Sequence, residues 1–133
     1  MNDFPLPLSG DITALYPVVT GVHVTGTGDV SLPINGKVTA GTSKNLGKFV
    51  VITSDALGVA FRLYNLDKVY AEDGKWCKPK EVLGSCDGQL KYDIVRLHEL
   101  KKNRLSVHAD LEFSPRLFVN PASMHLELIG LEV

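Results

Sequence analysis

The first 36 residues contain no lysine and no arginine, only the acids Asp3, Asp11 and Asp29. A secretion signal sets basic residues ahead of an apolar stretch. The opening MNDFPLPLSGD carries acid and proline there instead, so a cytoplasmic protein is expected. No apolar run approaches the roughly 18 residues that a membrane-spanning helix requires, which predicts no membrane partner. Cysteine is scarce, with Cys77 and Cys86 the only two. In a reducing compartment they stay free thiols. Their spacing fits no zinc pattern, and no further Cys/His pair completes four ligands, so no metal is expected.

Catalytic signatures are missing too. His23, His98, His108 and His125 fall in separate segments, with no H-x-H, H-E-x-x-H or G-x-S-x-G pattern. The stretch Gly41-Thr42-Ser43-Lys44-Asn45-Leu46-Gly47-Lys48 looks like a phosphate loop but is followed by Phe49, where a hydroxyl would be needed for magnesium. Asp93, Asp110 and Glu112 could gather as a carboxylate site, although strand alternation accounts for them equally. These absences predict a binding domain rather than an enzyme, with no cofactor.

What is present is β structure. The chain has 133 residues, of which 44% are hydrophobic, enough for one domain that buries a core without staples. Residues 1–133 therefore read as a single domain, with residues 1–11 as an extended arm containing Pro5 and Pro7. Runs rich in Val, Ile, Thr and aromatics, punctuated by Gly, Pro, Asn and Asp, predict strands. They are Ile12–Thr25 (broken near Pro17), Val30–Thr39, Lys48–Thr53, Gly58–Leu66, Leu90–Leu100, Arg104–Phe113 and Met124–Leu131. Asn35-Gly36 is the strongest hairpin signal, because both residues tolerate positive φ. The segment Leu90–Phe113 reads as a second hairpin turned at Lys101–Arg104. Its return strand sets Leu105, Val107, Ala109, Leu111 and Phe113 on one face. Only Lys78–Gly84 could form a short helix, opened by Pro79 and closed by Gly84. The predicted class is all-β: an antiparallel small barrel or sandwich, OB-like, with about seven strands and at most one short helix.

Charge is unevenly distributed. Residues 37–104 hold 13 of the 14 basic residues against eight acids, and six of the ten aromatics. Within that stretch, Gly41-Thr42-Ser43-Lys44 and Gly47-Lys48-Phe49 lead into a strand. Asp87 to Tyr92, the turn Lys101 to Arg104, and Leu105 to Arg116 come next. Over residues 37–116 this order resembles the gene V-type single-stranded DNA-binding proteins of filamentous bacteriophages; the first 36 residues have no counterpart. The resemblance implies a five-stranded OB-like barrel that holds a single strand without base preference. Such binding uses cations along a groove and aromatic faces for stacking. The candidate nucleic-acid-binding residues are Lys44, Lys48, Arg62, Tyr64, Tyr70, Trp76, Lys78, Lys80, Lys91, Arg96, Lys101, Lys102 and Arg104. The expected partners are single-stranded nucleic acid and further copies of the chain. The competing expectation is a viral coat, tail or decoration component, acting through the edge strands of Ile12–Thr39 and Met124–Val133.

Overall fold

The computed structural model describes residues 6–123. It contains eight strands and one complete helix: β1 (Asp11–Leu15), β2 (Val22–Ser31), β3 (Gly36–Ser43), β4 (Gly47–Ser54), β5 (Val59–Leu66), β6 (Lys68–Val69), β7 (Trp76–Cys77), β8 (Val82–Arg96) and α1 (Leu97–Lys102). They form one sheet in the order β1-β2-β8-β5-β4-β3-β7, with β6 also paired to β8. Every pairing is antiparallel. The antiparallel all-β expectation therefore holds, with eight strands for the roughly seven expected; among the described residues the sheet is not closed between β1 and β7.

The middle of the sheet explains the unusual run of buried residues in β4 and β5. In β5, all residues from Val59 to Tyr64 are buried, because both faces of the sheet are covered. On one face Val50, Ile52, Phe61, Leu63, Leu90 and Ile94 pack with Val22 and Val24. On the other, Phe49, Val51, Ala60, Tyr64 and Val95 pack beneath Leu97, Leu100, Leu117 and Phe118. Burying each such side chain contributes about 1.5–3 kcal/mol.

The chain beyond β8 covers the second face. At Arg96 it turns into α1, whose buried Leu97 and Leu100 sit three residues apart on one side. Glu99 in its first turn and Lys101 and Lys102 in its last suit the helix dipole. Arg104 then takes a left-handed φ of 57°. Residues 105–113 run on with no strand pairing. Val107, Ala109 and Leu111 are half-buried, while Ser106, His108, Asp110 and Glu112 are exposed. The predicted alternation holds only for Val107, Ala109 and Leu111, since Leu105 and Phe113, expected on the same buried face, are exposed. The predicted return strand and hairpin do not form, because α1 replaces the turn and the Ala109 N–H donates to Ser106 O at 3.2 Å in a turn of its own. Phe118 then bridges Val95, and the Val119 N–H donates to Ile94 O at 2.9 Å.

Other expectations shift for local reasons. Lys78–Gly84 forms no helix: Lys80 has φ of 66°, its N–H donates to Leu32 O at 2.8 Å, and β8 begins at Val82. Asn35-Gly36 closes no hairpin, because β2 lies beside β8 and β3 beside β4. The tight hairpins are instead β3–β4, turned at Gly47 (φ 79°), and β4–β5, turned at Gly58 (φ 71°). The strand expected at Met124–Leu131 lies outside the described residues. Cys77 and Cys86 are free and buried, and burial pushes both thiols above their ordinary value.

Candidate functional site

Register places two rows of side chains side by side on the face beneath the 105–113 segment. His23 of β2, Lys91 of β8, Tyr64 of β5 and Phe49 of β4 form one row. Asp93 of β8 and Arg62 of β5 form the next. Together with Thr20, all of them but Phe49 line a cleft of about 260 Å³, closed on one side by Asp110 and Leu111.

At its floor the Arg62 Nε donates to Asp93 Oδ1 at 2.7 Å and its Nη2 to Oδ2 at 3.1 Å. The Thr20 hydroxyl also donates to Oδ2, at 3.1 Å. The third arm of the guanidinium, Nη1, donates to Ala109 O at 2.8 Å and to Val107 O at 3.4 Å. The guanidinium carbon lies 5.1 Å from the Tyr64 ring centre and 5.8 Å from that of Phe118, a cation–π arrangement on both. Burial works against the Arg62 charge, but Asp93 outweighs it and the guanidinium pKa rises.

Two further groups have shifted ionisation. Burial pushes the Tyr64 phenol up to about 12, with Arg62 opposing and Asp93 and Asp110 adding to the rise. Its hydroxyl is buried and makes no hydrogen bond among the described residues, which costs about 1–3 kcal/mol. Partial burial, then the Lys91 ammonium, hold the His23 imidazole below its ordinary value, with Asp93 opposing.

The thirteen residues expected to bind nucleic acid do not converge. Arg62 and Tyr64 are each 2% exposed and serve the ion pair and the core. Arg96 is exposed but spends its guanidinium on the carbonyls of Pro115, Arg116 and Phe118, the last at 2.6 Å. The Lys48 ammonium donates to Asp67 O at 3.0 Å. Lys44 lies exposed in the β3–β4 turn, and Lys101, Lys102 and Arg104 are exposed at the end of α1. Tyr70 is exposed beside β8, its N–H donating to Leu83 O at 2.9 Å, and Trp76, Lys78 and Lys80 are exposed in and just after β7. Lys91 alone of the exposed or half-exposed cations faces the cleft. Of the thirteen, only Arg62, Tyr64 and Lys91 line the cleft. Sequence reasoning missed Asp93 as a partner of Arg62, and missed Thr20, His23 and the carbonyls of Val107 and Ala109. The one signal available was that Arg62 and Tyr64 share a face of β5.

No protein-family model matches the sequence, and no curated protein does. Solved structures do share the fold. Over 89% of this chain and 48% of its own, the antimicrobial peptidase lysostaphin from Staphylococcus simulans superposes with a TM-score of 0.64 at 16% identity. A zinc-containing peptidase from Vibrio cholerae matches over 80% of this chain and 40% of its own, with a TM-score of 0.60 at 19% identity. The complex of SpoIIIAH and SpoIIQ matches over 79% and 70%, with a TM-score of 0.60 at 18% identity. The chain thus spans less than half the length of either peptidase.

These similarities correct the expectations drawn from sequence. The fold is shared with peptidases and a protein–protein complex, not with gene V-type proteins, so it supports neither single-stranded nucleic-acid binding nor a viral coat role. The inferred partners, nucleic acid and further copies of the chain, lose their basis with it. The exclusion of an enzyme, made from missing motifs, falls as well, since the fold is one on which peptidases are built.

A zinc ion does not fit the described residues. Among them no three of His, Cys, Asp and Glu stand together as a metal would need. In the cleft, His23 and Asp93 share the space with the Arg62 and Lys91 cations, and both Asp93 oxygens are already engaged. Two fixed positive charges oppose a third.

Proposed function

We propose that this domain holds a peptide segment in the cleft above Arg62 and Lys91, as a degenerate member of the peptidase fold. The observation that carries this reading is the Arg62 guanidinium, held by Asp93, donating Nη1 to the peptide carbonyls of Val107 and Ala109. The floor of the cleft already binds peptide backbone. Peptidases on the same fold must hold a peptide chain, which supports the same reading. Arg62, pinned on two arms by Asp93, directs its third at peptide carbonyls, now those of Val107 and Ala109. Lys91 supplies a positive flank and Asp110 a negative one.

A library of short fluorescent peptides, titrated by anisotropy, tests this. Saturable binding is expected, and Lys91→Glu should weaken it at least tenfold without changing the unfolding midpoint. Absence of binding across the library overturns the reading. Zinc-dependent cleavage of the same peptides, followed by mass spectrometry, overturns the degenerate assignment and makes the domain a metallopeptidase.

A further inference from the structure

Strands β2 and β8 set His23 directly opposite Lys91, a pairing that brings two Cβ atoms to about 5 Å. Both side chains line the cleft, and both are half-buried. The only ion pair among the described residues is that of Arg62 with Asp93. No described group hydrogen-bonds to the Lys91 ammonium or to the His23 ring. We infer that Lys91 and His23 together capture the C-terminal carboxylate of the bound peptide, so that the cleft takes the free end of a chain and not its middle. The inference rests on the peptide reading of the cleft and adds the ligand class to it.

Three observations carry it. First, two like charges directly opposite each other on neighbouring strands repel. Burial and then Lys91 accordingly hold the His23 imidazole below its ordinary value. A neutral imidazole still offers one N–H and the ammonium offers three, and a carboxylate between them accepts from both. Second, neither acid of the cleft neutralises the pair. Asp93 gives one oxygen to Arg62 Nε and the other to Arg62 Nη2 and the Thr20 hydroxyl, so its charge is spent on the guanidinium. Asp110, on the facing wall, is exposed, and its Oδ2 accepts from the Asn45 amide at 3.2 Å; water and salt screen its charge. Third, the cleft is short. Its volume of about 260 Å³ falls below the roughly 300–1,000 Å³ of most small-molecule sites, and Val19, Leu46 and Leu111 give it apolar walls. That room suits the last residue or two of a chain, with an aliphatic side chain. Capture of a terminal carboxylate is one of the recurring ways in which a protein holds a peptide.

The test uses the full chain and one library of short peptides made twice, with a free C-terminal carboxylate and with a C-terminal amide. Each peptide carries its dye at the N-terminus and is read by anisotropy at pH 8. The free acids should bind at least tenfold more tightly, since the amide loses a charge-assisted hydrogen bond. Lys91→Gln should cut that preference to less than about threefold and leave the affinity for the amides within about twofold. In the native chain a bound free acid should raise the His23 pKa, seen in its proton NMR titration, and a bound amide should not. If acid and amide forms bind alike, the inference fails while the peptide reading of the cleft stands. If the acids win but Lys91→Gln keeps the full preference, the carboxylate sits elsewhere and the inference fails as well. Amides with an internal Asp or Glu that match the free acids would show a side-chain carboxylate as the ligand and overturn the C-terminal assignment. If no peptide binds in either form, the proposed function itself has failed. Circular dichroism reports whether Lys91→Gln is folded; if it is not, the His23 titration of the native chain decides alone.

Discussion

The guanidinium of Arg62 and the carboxylate of Asp93 meet through two parallel hydrogen bonds, 2.7 Å and 3.1 Å long, across strands β5 and β8. Both residues are buried, at 2% and 7% exposure. Removing one partner strands the other charge away from water. Asp93→Ala should therefore cost about 3–5 kcal/mol, whereas Arg62→Met with Asp93→Leu should recover most of it. Urea unfolding of the three chains measures both. Equal loss in the single and double variants would show that packing, not charge, sets the cost.

Tyr64 gives the opposite sign at neutral pH. Its hydroxyl is buried without a partner among the described residues, so Tyr64→Phe should leave stability unchanged or raise it by about 1 kcal/mol. In alkali the native phenol resists ionising up to about 12, while in the unfolded chain it ionises near its ordinary value of 10. Its stabilising contribution is complete below pH 10 and is lost as pH rises through about 12. The urea midpoint should fall across that window, and less steeply in Tyr64→Phe. Some fall should remain, because Tyr92 is also raised, by burial and then by Asp93.

His23 titrates below its ordinary value because of burial and Lys91. Its contribution to stability is present above pH 6.5 and is lost as pH falls through the lowered native value. Lys91→Met should bring the imidazole back up, visible in its proton NMR titration. An unchanged titration would mean that burial alone sets the shift.

Much of this architecture was readable in advance where local chemistry and position agree. Lys48–Thr53 and Gly58–Leu66 are strands because β-branched and aromatic residues fill them, and they lie mid-sheet as β4 and β5. The shared face of Arg62 and Tyr64 was legible from period two. That this face is covered was not, since the cover comes from Leu97, Leu100, Leu117 and Phe118, far along the chain. A cation on a strand reads as solvated until its partner is known, and Asp93 stands 31 residues away. The alternation of Leu105–Phe113 marked Val107, Ala109 and Leu111 as inward but misplaced Leu105 and Phe113, which are exposed, because alternation assumes a strand and the chain turns at Ser106–Ala109 instead. Lys78–Gly84 carries helix-like ends, yet the left-handed Lys80 and its bond to Leu32 divert it.

Gly21 stands where β2 enters against β8. A methyl group there would run into the carbonyl oxygen of Tyr92 and come within 2.6 Å of the Asp93 Cα. Backbone cannot yield as a flexible side chain can, so Gly21→Ala should cost more than about 2 kcal/mol and loosen Asp93 as well. The urea midpoint measures the first effect, and the Arg62 side-chain NMR signals the second.

The two thiols supply a simple check on packing. Cys77 and Cys86 are buried, with pKa values raised by burial. A disulfide-exchange reagent at pH 8 should modify both slowly in the native chain and at once in urea, since only the exposed thiolate attacks. Fast reaction of either in native buffer would place it at the surface.

The position of β8 governs the order in which the molecule can be completed. Thr27 of β2 bonds through its hydroxyl to Asp87 of β8, 60 residues later, and β8 also closes the other side of the sheet onto β5. As the chain leaves the ribosome, β1 and β2 have only each other until β8 emerges, while β3, β4 and β5 assemble from adjacent turns. Two halves thus wait for one strand to join them. Such long-range pairing slows folding, and the interval leaves the apolar side of the β1–β2 hairpin, with Val22 and Val24, open to other nascent chains.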